Sequence, residues 1–371
     1  MKILHLSAVN NWGGGENQIE LLCKEFQGDS PKIENIILCV DEGLFHKKLK
    51  ISNLNYKTSK RSFNLDVRYC LKIRQICKKE GIDLIHIHDP KALSLAVIAD
   101  KFGGLPPMVF SKKTSFPIKN RKSTLYKYNY PKLKRILCVS EETRRITATH
   151  IEDESRLQTI YHGLSIARQK SISAEFELRK KLKITDDVIL IGHIGNHIPA
   201  KDLTTFANTV EKAIQQKGNL KFHFVQMGQF SGETPKLLQQ LKTKNIKQHV
   251  SILGFVQNAA AFIPQLDFLL LTSNSEGVPN VIFEAFYYKT PVIATNVGGI
   301  PEIVTHLENG LLANAGDANK LAEHLLFLAQ KPELKISFTE KAHQKLLKDF
   351  TTGRMARETL NAYKKILYGR S

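Results

Sequence analysis

The stretch Phe268 to Glu302 constrains the fold more than any other. A four-residue apolar run, Phe268–Leu271, stops abruptly at the small polar residues Thr272-Ser273-Asn274-Ser275. A run that short and apolar on both faces reads as a buried parallel strand ending at a loop. Beyond the loop, Pro279 suits the first position of a helix, because the N–H it lacks would have no partner there. Val281, Ile282, Ala285 and Phe286 then continue at helical spacing. A strand, a loop and a helix start in so few residues make a ligand site plausible, with the helix N-terminus pointing at the loop that carries Glu276 and Gly277.

Glu276 and Glu284 stand eight positions apart. With Glu284 inside the helix, the axial rise to it from the helix start is roughly 7.5 Å at 1.5 Å per residue. That is too far for the two to share one proton. The spacing instead suits an extended ligand touched at two places: sugar hydroxyls at Glu276 and ribose hydroxyls at Glu284. The backbone N–H groups of Gly277, Val278, Pro279 and Asn280 are the region between, Pro279 itself lacking one. Carboxylates accept from hydroxyls and a helix start attracts negative charge, so a sugar nucleotide meets both demands. The plainer alternative is that Glu276 caps the helix and Glu284 is a solvated face residue.

The rest of the chain repeats the same unit. Lys2–Ala8 is an apolar strand, followed by the glycine-rich Asn10–Glu16 and a periodic helix through Ile19, Leu22, Cys23 and Phe26. Strand-like runs recur at 33–40, 84–88, 108–110 and 135–139, with helical patterns between them such as 67–79. Alternating strands and helices predict a parallel sheet covered on both faces. The polar segment from about Gly163 to Ser173 reads as a linker. A second series then runs through Val188–Ile194, a helix over 203–215, and strands at 220–227, 250–253 and 310–312. Helices follow at 320–330 and 352–367. At 371 residues the chain holds two domains comfortably, predicted at 1–165 and 174–350, with 351–371 a final helix.

The five cysteines form no C-x-x-C pair and mostly lie in apolar segments, which points to reduced core thiols. The N-terminus lacks a signal-peptide pattern and no apolar run is long enough to span a membrane, so a cytoplasmic protein is expected. A net charge of +19 favours an anionic partner. Residues Lys112 to Arg135 hold nine cations, no acid and interleaved aromatics. This composition suits an anionic membrane surface, a phosphorylated acceptor or single-stranded nucleic acid. The membrane or acceptor is preferred, and nucleic acid is not expected, because no nucleic-acid-binding motif accompanies the charge.

The strings Ser275-Glu276-Gly277-Val278-Pro279-Asn280, Glu284, Thr290-Pro291-Val292-Ile293-Ala294-Thr295 and Gly298-Gly299-Ile300-Pro301-Glu302 closely resemble a known donor-binding signature. It is that of the retaining glycosyltransferases of family 4, also called group 1. The resemblance spans nearly the whole chain and is most specific from Ile191 to Glu302. It implies an α/β fold of the GT-B type, two Rossmann-like domains with parallel sheets facing each other across a cleft, the last helix crossing back to the first domain.

The resemblance also implies roles. Glu276, Lys201 and His88 become the catalytic candidates, with His88 near the transferred sugar. Gly14 and Gly15 would meet the donor diphosphate, Phe255 and Val256 the base, and Glu284 the ribose. The family carries Arg five residues before its Lys, where this chain has Asn196; His193, His197 or a residue from the facing domain would then have to compensate. His86 and His88 fall on one side of their strand, but no further ligand in the sequence completes a metal set, and no Asp-x-Asp pair is evident. The expectation is therefore a metal-independent transfer from a UDP- or GDP-sugar to a hydroxyl of a glycan or lipid-linked acceptor. Its setting would be cell-surface polysaccharide or glycolipid synthesis, with the protein peripheral on the inner face of the membrane. A non-catalytic sugar-nucleotide-binding or scaffolding subunit is the alternative.

Overall fold

The computed structural model describes residues 1–29, 33–63 and 65–369. The chain forms two compact units: Met1–Gly163 with the segment from Thr352 onward, and Leu164–Thr351.

The first unit is built on seven strands: β1 (Lys2–Leu6), β2 (Glu34–Val40), β3 (Tyr56–Ser59), β4 (Leu84–Ile87), β5 (Met108–Lys112), β6 (Leu133–Cys138) and β7 (Leu157–Thr159). They pair in parallel in the order β3-β2-β1-β4-β5-β6-β7. The order reverses between β1 and β4, and a crevice opens at the carboxyl ends of strands where an order reverses. Apolar residues fill both faces of the sheet, as a doubly covered parallel sheet requires. The helix Thr352–Tyr368 contributes Met355, Ala356, Ala362 and Tyr363 to the core beside Ile3, Phe26 and Leu84.

The second unit has β8 (Val188–Ile194), β9 (Lys221–Met227), β10 (Val250–Gly254), β11 (Phe268–Leu271), β12 (Val292–Thr295) and β13 (Leu311–Ala313). They too are all parallel, in the order β10-β9-β8-β11-β12-β13, which reverses between β8 and β11.

Three expectations need correction. The segment expected as a linker contains the helix Ile166–Ser171, started by Ser165 accepting from the Arg168 N–H, and it belongs to the second unit. Its Gln169 is buried and takes the Tyr288 hydroxyl, so tertiary packing overrides its polar composition. Pro279 is not the first helical residue but the one before, with the helix running Asn280–Tyr287. Gly14 and Gly15 are not loop residues; they open the helix Gly14–Asp29. The short strands β3 and β7 and the helix Pro332–Asp349 gave no separate signal in the sequence.

One glycine is demanded by the close approach of two backbones. A Cβ on Gly228, just after β9, would lie 1.9 Å from the carbonyl oxygen of Gly195, just after β8. Gly228→Ala should therefore destabilise the protein by about 2 kcal/mol or more. Gly232→Ala, whose Cβ would meet nothing within 4 Å, should cost much less; urea unfolding of the two variants side by side checks this.

Candidate active site

In the second unit the topology delivers two of the catalytic candidates to each other. β8 ends in the loop that carries Asn196 and Lys201, and its neighbour β11 ends in the loop that carries Glu276. Several bonds sew the two loops together. The Asn274 N–H donates to Ala200 O over 2.9 Å, and the Thr272 hydroxyl donates to Lys201 O and Asp202 O over 3.1 and 3.2 Å. Lys201 Nζ donates to Glu276 Oε1 at 2.6 Å, and Ser273 Oγ donates to the same oxygen at 2.7 Å. Both side chains of the pair are mostly buried, 16% and 13% exposed. Oε1 of Glu276 is thus engaged across the two loops, and Pro279, the residue before the helix that starts at Asn280, makes no side-chain cap bond.

Two glycines make room for this pair. A Cβ on Gly195 would stand 2.9 Å from Lys201 Cε, and one on Gly298 would stand 1.8 Å from Glu276 O. Gly298 also has a φ of +54°, a conformation that disfavours other residues. The Gly299 N–H donates to Gly277 O at 2.8 Å, which ties the Gly298-Gly299 turn under the Glu276 loop. Val278 and Pro279 are buried, so only their backbone is available to a ligand, while Asn280 is partly exposed.

Glu284 is neither a freely solvated residue nor a partner of Glu276. It is only partly exposed, and burial pushes its carboxyl up to about 7, with Arg168 pulling in the opposite direction. The sequence alone offered no signal for Arg168, which comes from the segment expected as a linker.

Asn196 does not behave as a substitute for a cation. Its Oδ1 accepts from the Gln229 N–H at 3.0 Å, so the side chain holds the neighbouring loop. Of the histidines expected to compensate, His193 does not supply charge toward it. Burial pushes His193 down to about 3, with the nearby Lys201 adding to the effect. His197 is buried with its ring nitrogens 2.8 Å from Thr234 Oγ1 and 2.7 Å from Gln226 Oε1. Of the residues expected to meet the base, Phe255 is 73% exposed and Val256 is partly exposed. Phe230, 54% exposed, is a further aromatic there: its ring edge is 3.2 Å from where a Gly254 Cβ would sit. A lone Phe in a polar segment could not have been singled out from the sequence.

In the first unit, the reversal between β1 and β4 brings together Gly14, Gly15 and His88. The His88 N–H donates to Leu6 O at the end of β1. Asp89 follows and caps the helix Pro90–Lys101, accepting from Lys91 and Ala92 N–H groups with one oxygen and from the Ala8 N–H with the other. Lys113, just past β5, donates to Gly15 O at 2.8 Å. Burial pushes its amine down to about 8 while Glu16 and Asp89 pull it up. In the sequence it was one of nine cations in a basic run; only the sheet order shows that it sits beside the glycines.

The third histidine that the sequence seemed to lack is His5, on β1. His5 Nδ1 and His88 Nε2 are 3.0 Å apart, and the His86 and His88 ring centres are 4.0 Å apart. The spacing of the three rings would allow a metal ion. However, both nitrogens of His86 are already engaged, with Tyr363 Oη and Ser111 Oγ. Burial lowers the pKa of all three rings, that of His5 to about 4.

The basic run is narrower than its sequence suggests. Lys112 is buried, donating to the carbonyls of Thr114 and Phe116. Lys127 bonds Pro90 O and Ser94 Oγ, Lys132 pairs with Asp100 at 2.8 Å, and Arg135 donates to Ser155 O. Tyr128 is buried and the Tyr130 hydroxyl donates to Asp100. Lys119, Arg121, Lys122 and Lys134 are exposed, as are Phe116 and Tyr126.

The raised pKa of Glu284 has a consequence for stability. Between its ordinary value of 4.5 and about 7 the unfolded chain is ionised there while the folded one keeps its proton. The folded state binds more protons, so this group's contribution falls as pH rises through that window. Glu284→Gln should gain stability relative to the parent as pH rises from 4.5 to 7; melting temperatures across that range check the direction.

A family profile described as "Glycosyltransferase Family 4" matches residues 12–168, and one described as "Glycosyl transferases group 1" matches residues 186–331. The chain is 23% identical over 313 residues to the N-acetyl-alpha-D-glucosaminyl L-malate synthase of Bacillus anthracis, covering 81% of this chain and 80% of that one. It is 23% identical to an Escherichia coli UDP-Gal:alpha-D-GlcNAc-diphosphoundecaprenol alpha-1,3-galactosyltransferase, covering 77% of this chain and 76% of the other. Anabaena HepE in complex with UDP has a similar fold, with a TM-score of 0.84 at 19% identity over 98% of this chain and 100% of HepE. A glycosyltransferase from Rickettsia africae gives a TM-score of 0.83 at 19% identity, covering 100% of this chain and 99% of that one. The chain thus belongs to glycosyltransferase family 4, also called group 1, and is a nucleotide-sugar-dependent transferase with the GT-B fold.

Proposed function

We propose that the protein transfers a sugar from a UDP- or GDP-sugar, with retention at the anomeric carbon, to a hydroxyl of a glycan or lipid-linked acceptor. The setting is cell-surface polysaccharide or glycolipid synthesis. The Lys201–Glu276 pair carries this reading: a cation and an acid at the ends of adjacent strands, on the reversal of strand order, beside a helix N-terminus. A diphosphate competes with Glu276 for the Lys201 ammonium. When the ammonium turns to the phosphate, Glu276 is released to accept hydrogen bonds from sugar hydroxyls. Leaving-group stabilisation by the cation then operates together with positioning by the acid. Glu284 takes the ribose, Phe255, Val256 and Phe230 flank the base, and Gly14, Gly15 and His88 serve the sugar and diphosphate. Neither member of the pair depends on a metal.

Relatives acting on diphosphoundecaprenol-linked sugars support the lipid-linked acceptor class. No described helix is long and apolar enough to cross a membrane. Phe116, Lys119, Arg121, Lys122 and Tyr126 provide exposed cations and aromatics for an anionic inner membrane face, each cation near such a surface contributing about 1 kcal/mol. The side-chain role of Asn196 motivates the second reading, a sugar-nucleotide-binding subunit without turnover.

Release of nucleoside diphosphate from a panel of UDP- and GDP-sugars, with lipid-linked and glycan acceptors, tests the proposal. Turnover on one donor, with Lys201→Ala and Glu276→Ala each losing about 100-fold while remaining folded, is the expected result. Tight nucleotide binding with no turnover on any donor favours the subunit. Gly195→Ala should weaken nucleotide binding without unfolding the protein, because the clash it makes is with the movable end of Lys201; a thermal-shift titration with UDP and GDP reads it. Sedimentation with phosphatidylglycerol vesicles should drop in Arg121→Glu/Lys122→Glu, and equal binding by the variant would remove the membrane assignment.

A further inference from the structure

His88 Nδ1 is buried and has no hydrogen-bond partner among the described residues, and His88 itself is only 6% exposed. His88 borders a cavity of about 40 Å³ inside the first unit, whose other polar lining is Gln18, His86, Ser111, Lys113, His162 and Thr359. That volume holds one hydroxyl-sized group or one or two waters. A buried polar atom without a partner is costly, so what it can accept or donate defines the missing group.

The other side of the ring sets that property. Asn35 Oδ1, an acceptor, lies 3.0 Å from His5 Nε2, so His5 carries its proton there. Burial keeps His5 neutral, leaving its Nδ1 bare. His5 Nδ1 lies 3.0 Å from His88 Nε2, and two bare lone pairs at that distance would repel, so His88 Nε2 carries the proton between them. A neutral His88 is then bare at Nδ1.

We infer that Asn35, acting through His5, locks His88 as a hydrogen-bond acceptor at Nδ1, selective for a hydroxyl donor in the cavity. Asn35 and His5 are positioning residues in this relay, and His88 is the residue that touches the ligand. The inference deepens the reading of His88 as a contact to the transferred sugar: the group it takes is a sugar hydroxyl, with water standing in for it in the free protein. An acceptor-only ligand group, such as a carbonyl or ether oxygen, is excluded.

Long-range proton–nitrogen spectra of the full chain labelled with nitrogen-15 histidine, at neutral pH, read the tautomer directly. The His88 signals are identified by their loss in His88→Gln. The expected result is a proton on Nε2 and none on Nδ1 in the parent. In Asn35→Leu, a change at a partly exposed position, the His88 signals should move toward the other tautomer. The kcat/KM for the donor found active should fall about fivefold, the size of one neutral hydrogen bond. His5→Phe should have the same spectroscopic effect if it folds, and Asn35→Leu decides the matter if it does not. A proton on His88 Nδ1 in the parent, an unchanged tautomer in Asn35→Leu, or zinc bound stoichiometrically by the three rings overturns the relay. Because the spectra need no substrate, the expected tautomer without turnover on any nucleotide sugar upholds the relay and removes the glycosyl-transfer reading.

Discussion

Lys201 and Glu276 can neutralise each other only because β8 and β11 are neighbours in the second sheet. Their sequence separation of 75 residues is bridged by one pair of strands whose carboxyl ends lie side by side. Most of the local chemistry serves that approach. Gly195 leaves space for the lysine stem, Gly298 lets its turn pass under the Glu276 backbone, and the Thr272 hydroxyl ties the two loops. A cation held by an acid is kept out of contact with other anions until a stronger anion competes for it. The proposed mechanism uses the pair as a charge-exchange element, the incoming phosphate taking the lysine and freeing the carboxylate for hydroxyls.

The first unit solves the same topological problem with a different chemistry. At its strand-order reversal lie three packed imidazoles and the hydroxyls of Tyr363 and Ser111, with a partly buried ammonium at Lys113 and the carboxyl groups of Glu16 and Asp89 near it. Desolvation keeps the imidazoles uncharged. The second unit thus presents an ion pair at its reversal, and the first presents three uncharged rings.

Residues whose function depends on local pattern were legible in the sequence. Phe268–Leu271 and Val188–Ile194 are apolar runs with polar stops, and each is a strand with those bounds in the structure. Glu276 stands in the loop beyond one of these ends and was singled out from the residues themselves, whereas Lys201, in the loop beyond the other, was singled out by the family resemblance. The linker failed for the opposite reason. The residues from Ile166 to Ser171 are polar because one face meets water, and the buried contact of Gln169 with Tyr288 lies 119 residues away.

The sequence by itself determined that strands and helices alternate, which loops follow strands, and which residue types stand in them, because hydrophobic periodicity and turn chemistry act over a few residues. Only the tertiary structure decided that His5 completes a set with His86 and His88, that Lys113 bonds the Gly15 carbonyl at the start of the first helix, and that most of the basic run is spent on internal partners. Those outcomes depend on strand order, which brings together groups 83 and 98 positions apart. No local pattern encodes it, since the cost of closing such loops is repaid only by the packing of the whole sheet.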